Sequence, residues 1–64
     1  MLLEDYVDNG INVTALEGDN LSEMLRHMAD LLETDLKNYN LDSIIVEVPN
    51  LYESDHCSAK IYYT

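Results

Sequence analysis

The sequence predicts a small α+β domain in which one amphipathic helix packs on a small antiparallel sheet, in the order ββαββ. Three observations support this fold class: an apolar stripe of helical period in the middle of the chain, alternating apolar residues on both sides of it, and an Asn-Gly turn signal near the N-terminus. The 64 residues, of which 47% are hydrophobic, suffice for one folded domain spanning residues 1–64.

The N-terminal segment is predicted to form a hairpin. Ile11, Val13 and Ala15 alternate as residues do in a strand with one buried face. Asn9 and Gly10, directly before this strand, favour a tight hairpin turn because both tolerate a positive φ. We therefore expect a first strand before residue 9 that pairs with the second.

The length of that turn decides which residues pair. A two-residue turn would place Val7 opposite Asn12 and so mix apolar and polar residues on one face. A three-residue turn over residues 8–10 instead pairs Val7 with Ile11 and puts glycine at the left-handed bulge position. We predict the three-residue turn. The alternative order, βαββ, would leave residues 1–8 as a loose arm.

A helix is predicted from residue 21 to residue 38. Asn20 is a favourable N-cap, and Glu23 three residues later completes a capping box. Asn38 and Asn40 can adopt the left-handed geometry that ends a helix. The apolar residues recur at three- and four-residue steps along one stripe, namely Leu21, Met24, Leu25, Met28, Leu32 and Leu36.

Two strands are predicted after the helix. Residues 43–48 are dense in β-branched side chains and end at Pro49, and residues 59–63 form the last strand. A nine-residue loop from Pro49 to Cys57 lies between these segments, and we expect them to form an antiparallel hairpin. In that hairpin Glu47 can pair with Lys60 across the strands.

Tyrosine is the only aromatic residue type in the chain. Alternation along the last strand predicts Tyr63 in the core and Tyr62 on the face that the helix does not cover. Tyr62, Ile45 and Tyr52 would then form an exposed apolar patch of the kind that marks an interface.

The charge of the chain is strongly one-sided. Thirteen Asp and Glu residues stand against three Lys and Arg residues, so the formal net charge is −10. Such a charge destabilises the compact state by self-repulsion, disfavours direct binding to nucleic acid and to anionic membranes, and favours a basic partner. The chain starts without a basic, apolar leader and contains no apolar run of membrane length, so we expect a cytoplasmic protein.

Neither catalysis nor metal binding is predicted. The single Cys57 cannot form an internal disulfide, and His56 points away from it in an extended segment, so the two do not form a nucleophile–base pair. His27 is the only other histidine, which leaves a zinc ligand set incomplete, and the acidic residues lack the spacing of a calcium loop. We expect no enzyme activity, no cofactor and no metal.

The acidic residues fall in clusters along the chain. If most of them share one side of the fold, the domain approaches the linear charge density of DNA; if they are spread evenly, their charge serves solubility. The candidate residues for binding a basic partner are Glu4, Asp5, Asp8, Glu17, Asp19, Asp30, Glu33, Asp35, Glu53 and Asp55.

In size, charge and fold type the whole chain resembles the phage-encoded acidic inhibitors that imitate DNA. Members of that class block nucleoid proteins, uracil-DNA glycosylase, restriction enzymes, Cas nucleases or RNA polymerase. The resemblance implies a non-enzymatic protein that mimics the phosphate surface of nucleic acid. It would occlude the DNA site of a basic DNA-binding protein in the host cytoplasm.

The alternative is a small homodimeric structural or regulatory protein-interaction module whose charge serves solubility. A core of this size is marginal, so dimerisation would help the fold. The uncovered sheet face and the final strand, with its Tyr-Tyr-Thr end, are the predicted interfaces because an unpaired strand edge can add to another chain.

Overall fold

The computed structural model describes residues 1–49 and 56–64 and confirms the α+β class and the order ββαββ. All neighbouring strands are antiparallel, and the sheet has the spatial order β1-β2-β4-β3. The first strand is regular, so the alternative with residues 1–8 as a loose arm is wrong. The elements are β1 (Leu2–Asp8), β2 (Ile11–Gly18), α1 (Leu21–Glu33), β3 (Leu41–Glu47) and β4 (Cys57–Tyr63).

The first hairpin turns through two residues, so the predicted three-residue turn is wrong. Asp8 pairs with Ile11, and Val7 pairs with Asn12. Asn9 and Gly10 both have positive φ, 51° and 81°, which is the geometry of a type I′ turn. The mixed pairs cost little because every residue of β1 is exposed, so burial does not control the register.

The helix begins as predicted and ends earlier than predicted. The Asn20 side chain accepts a hydrogen bond from the Glu23 N–H at 3.0 Å, which caps the first turn. At the other end the Thr34 hydroxyl donates to the Asp30 carbonyl at 2.7 Å, and the chain then turns. Leu36 belongs to the predicted apolar stripe but lies after the end of α1. It packs against the core from the segment that follows the helix.

The helix packs on one face of the sheet, which we call the closed face; the opposite one is the open face. On the closed face lie alternate residues of β2 and β4, while the two outer strands carry little of the core. The core cluster is Leu16, Met24, Met28, Cys57, Ala59, Ile61 and Tyr63. Tyr63 also meets the Tyr39 ring edge-on at 5.0 Å, which confirms its predicted place in the core.

The second hairpin has the predicted direction with a different register and different bounds. Lys60 lies opposite Ile45, and Glu47 lies opposite Ser58, so Glu47 and Lys60 are diagonal neighbours on one face and not directly opposite each other. A bulge between Leu41 and Ser43 shifts the register.

The final strand lies inside the sheet. β4 pairs with β2 on one side and with β3 on the other, so the predicted free edge at the Tyr-Tyr-Thr end is wrong. The backbone of Thr64 also pairs with Asn40, through hydrogen bonds of 2.8 and 2.9 Å. The strands at the edges of this sheet are β1 and β3.

Candidate partner-binding surface

The open face carries an ordered array of side chains. Residues opposite each other in antiparallel strands project on the same side, so the register defines rows that cross the sheet. From β1 through β2 and β4 to β3, the rows are Tyr6, Val13, Tyr62 and Ser43; then Glu4, Ala15, Lys60 and Ile45; then Leu2, Glu17, Ser58 and Glu47. These residues, Val13 and Ser43 excepted, line an open hollow of about 520 Å³.

Carboxylates dominate the charge of this face. Glu17 and Glu47 lie on either side of Ser58, two strands apart, so their Cα atoms are about 10 Å apart. Glu4 is a diagonal neighbour of Glu17, about 7–8 Å away. Lys60 is the face's only lysine or arginine, because Arg26 lies on α1 and Lys37 follows it. The face is therefore acidic with one cation at its centre.

Apolar side chains surround that charge. Val13 is fully buried although it projects on the open face, and the rings of Tyr6 and Tyr62 lie on either side of it in the register. Ile45 is 47% exposed and Leu2 is 70% exposed. The prediction that Tyr62 and Ile45 share the uncovered face is confirmed, and Tyr52 lies outside the described residues.

Some of the predicted partner-binding residues meet on this face. Glu4, Asp8 and Glu17 project on it, with Asp8 at the hairpin end beyond the hollow. Glu17 also lies 3.8 Å from the Nε2 atom of His56. Glu47 also projects on this face and was not among the predicted residues. It is two residues from Ile45 in β3, so the two side chains lie on the same face of the sheet.

Other predicted residues lie on the helix side of the molecule. Asp19 precedes the N-cap, and Asp30 and Glu33 are exposed on the outer surface of α1. Glu53 and Asp55 lie outside the described residues. The carboxylates therefore do not share one face, and acidity extends over both sides of the domain.

Asp5 and Asp35 line a cleft on the closed face, between β1 and the end of α1, with a volume of about 200 Å³. The Thr14 hydroxyl donates to the Asp5 carboxylate at 2.7 Å, and the Tyr63 hydroxyl lies 3.0 Å from the same Thr14 oxygen. Asp5 is thus tied to the interior of the fold, which distinguishes it from its sequence neighbour Glu4.

The cysteine and the possible metal ligands show no arrangement for catalysis or metal binding within the described residues. Cys57 is buried at the start of β4, two residues before the predicted start of that strand, and its Sγ donates to the Gly18 carbonyl at 3.3 Å. Within residues 1–49 and 56–64, no three His, Cys, Asp or Glu side chains are grouped so as to hold a metal ion. Nor does this described part of the chain contain a helix with the length and apolarity needed to span a membrane.

Comparison of the chain with protein-family models, with curated proteins and with solved structures found no match. The geometry of the open face is therefore the main basis for a functional proposal. Its apolar residues and carboxylates line one open hollow on the sheet face opposite the helix.

Proposed function

We propose that this protein is a non-enzymatic binding protein that inhibits a basic nucleic-acid-binding protein by occupying its nucleic-acid site. The observation that carries the proposal is the open face. There Glu4, Glu17 and Glu47 line an open hollow that also contains Tyr6 and Tyr62. Nucleoid proteins, polymerases, nucleases and DNA-repair enzymes are the target classes that fit.

The net charge supports a basic partner. A charge of −10 on a molecule whose longest dimension is 35 Å is about one charge per 3.5 Å. Duplex DNA carries one charge per roughly 1.7 Å of axis, so this domain averages about half that density over all its sides. A basic surface that attracts nucleic acid would also attract this domain, and the attraction would steer association.

The apolar part of the open face supports a protein as the partner. Tyr side chains offer a large rigid contact area with a polar tip, and they are enriched where interfaces hold most of their binding energy. Charge complementarity steers the encounter and fixes orientation. Tyr6, Tyr62 and Ile45 would add affinity through the contact area that they bury.

Capture from a lysate, eluted with a salt gradient, tests the proposal and identifies the target. We expect the retained proteins to be basic and to bind nucleic acid, and we expect added duplex DNA to displace them, because DNA and this protein would compete for one site. Their affinity should fall as salt rises, since salt screens charge pairs. Simultaneous binding of DNA and this protein to the target would contradict occlusion.

Matched charge variants locate the interface. Glu4→Lys combined with Glu17→Lys changes two open-face residues, and Asp30→Lys combined with Glu33→Lys makes the same change in net charge on α1. We expect the open-face pair to weaken target binding at least tenfold, or about 1.4 kcal/mol, and the helix pair to weaken it far less. Equal losses would mean that only total charge matters.

Removing the central cation tests the same face in the opposite direction. Lys60→Gln leaves the three glutamates of the hollow without a neighbouring ammonium group, so the affinity for a basic target should rise. Arg26→Gln on α1 is the control, because it makes the same change in net charge away from the hollow. An unchanged affinity for Lys60→Gln, beside an intact fold, would place the contact elsewhere.

A further inference from the structure

The edge strand β3 has the composition of a central strand. Ile44, Ile45 and Val46 are β-branched residues in succession, which is typical of strands buried on both faces. Nevertheless these three residues are 39%, 47% and 41% exposed. An exposed apolar edge is a template for pairing with another chain.

The exposed apolar surface continues from β3 onto the helix. Leu31 lines the cleft that β1 forms with α1, so this side of the helix faces β1. Leu25 lies about 120° around the helix axis from Leu31, on the side toward β3. Leu25 is 44% exposed, and Ile44 and Val46 on the closed face of β3 are exposed to a similar degree. The β3 flank of the molecule is therefore apolar in both its sheet and its helix layer.

The opposite edge strand, β1, is disfavoured for pairing with itself in its central registers. It carries Glu4 and Asp5 at its centre and Asp8 at its end. A symmetric antiparallel pair centred on Glu4 or Asp5 opposes two identical carboxylates, and one centred on Tyr6 opposes Glu4 to Asp8. Like charges directly opposite each other destabilise a strand pair.

The acidic residues of β3 do not prevent this strand from pairing with a second copy of itself. They are Asp42 and Glu47, near the two ends of the strand. An antiparallel pair of two copies centred on Ile44 places Asp42 opposite Val46 and Ser43 opposite Ile45, so no acid faces an acid. The same holds for a pair centred on Ile45. The charge pattern of β3 is therefore compatible with its own copy.

We propose that two copies of this chain associate through β3 into a continuous eight-stranded sheet, with residues 42–46 pairing antiparallel around Ile44 or residues 43–47 pairing antiparallel around Ile45. A two-fold axis perpendicular to the sheet relates the copies, so both helices lie on one side. The pairing satisfies backbone groups of the β3 edge and covers its exposed apolar residues. This inference does not depend on the proposed function.

Sedimentation over a concentration series tests the association. We expect the mass to rise from the monomer value of 7.3 kDa to twice that value. Added salt should strengthen the dimer, because it screens the repulsion between two chains of charge −10. Binding of a basic target should weaken with salt, so the two proposals fail independently. A monomer at every concentration would overturn the proposed dimer. The β3 edge would then be free to pair with a strand of another protein.

Ile44→Lys isolates the contact from the overall charge. The substitution makes the chain less acidic. If only the repulsion between two acidic chains controlled self-association, the variant would therefore dimerise more strongly. We expect it to weaken the dimer at least tenfold, because the new ammonium group would face its own copy in the register centred on Ile44 and the apolar Val46 in the register centred on Ile45. Val7→Lys, on the exposed β1 edge, is the matched control and should leave dimerisation unweakened. An Ile44→Lys dimer of unchanged strength overturns the proposal.

Cysteine cross-linking gives a second, independent measurement. Paired residues in an antiparallel ladder have Cα atoms about 4.5–5.5 Å apart, which is within disulfide range. We expect mild oxidation to cross-link Ile44→Cys or Ile45→Cys into a dimer, and the native Cys57 to stay unreacted because it is buried. Val7→Cys is the control on β1. Cross-linking that is no faster for the β3 variants than for Val7→Cys contradicts the pairing.

Discussion

Thr14→Val should destabilise the domain more than a conservative change of this size usually does. Thr14 is 2% exposed, and its hydroxyl lies between the Asp5 carboxylate at 2.7 Å and the Tyr63 hydroxyl at 3.0 Å. An ionised carboxylate only accepts, so Thr14 donates its single proton to Asp5 and the Tyr63 hydroxyl donates to Thr14. Valine keeps the shape and removes both hydrogen bonds.

The expected cost follows from the surroundings of the two partners. Asp5 is exposed and can turn to water, which reduces its share of the loss. The Tyr63 hydroxyl loses its partner in a residue that is only 9% exposed, a loss of about 1–3 kcal/mol. We expect about 2 kcal/mol in total, against about 3–10 kcal/mol for the stability of a domain of this length. The melting temperature should fall by about 8–16 °C.

A double-mutant cycle in urea with circular dichroism detection measures the interaction. Tyr63→Phe removes the other hydroxyl, and the Thr14→Val/Tyr63→Phe double variant leaves no unpaired group between them. We expect the double variant to lose about 1 kcal/mol less than the two single losses combined. A Thr14→Val loss below about 0.5 kcal/mol, or strict additivity in the cycle, would refute the account of this hydrogen-bond chain.

Three further predictions concern the elements that define the fold, each measured by urea unfolding. Asn20→Ala should cost about 1 kcal/mol through loss of the N-cap, while Asn20→Asp should retain most of the stability; equal losses would contradict capping. Gly10→Ala should cost about 1–2 kcal/mol because φ is positive there, although the added methyl group meets no atom within 4 Å; Asn9→Gly should be nearly neutral. Met24→Ala should cost about 2–5 kcal/mol because the side chain is fully buried, whereas the half-exposed Leu25→Ala should cost clearly less.

Local patterns in the sequence predicted the order of the elements and the start of the helix, and they failed where no burial acts. The first hairpin illustrates this. Val7 is 66% exposed and Leu3 is 48% exposed, so segregating apolar residues there has little energetic value. The preference of Asn9 and Gly10 for a tight turn decides the register instead.

The order of strands in the sheet could not be predicted from composition. β3 contains more β-branched residues than β4, yet β3 lies at the edge and β4 lies inside. What distinguishes β4 is its alternation of buried and more exposed residues, with Cys57, Ala59, Ile61 and Tyr63 on the helix side. That alternation is present in the sequence, but it does not say which neighbours the strand has.

The candidate surface was predictable in part. Glu4 and Asp5 are sequence neighbours in a strand, and a period of two residues already separates them onto opposite faces. The same period joins Glu47 to Ile45, so it could have identified the missing member of the open-face group. That Glu17 lies between Glu4 and Glu47 required the register of three strand pairs, which no single segment of the chain contains.

The two proposals together would enlarge the acidic open face. One copy offers an open face four strands wide, about 19 Å, with Glu4, Glu17 and Glu47 around one lysine. Because the two-fold axis is perpendicular to the sheet, a second copy joined at β3 would add its open face on the same side, for a width of about 38 Å. That width corresponds to about eleven base pairs of duplex at about 3.4 Å each.

An extended basic groove could contact both copies at once, and the second contact would then be intramolecular. Salt would oppose the step between dimer and target and favour the step between monomers, so binding to a target of this kind should be strongest at an intermediate ionic strength.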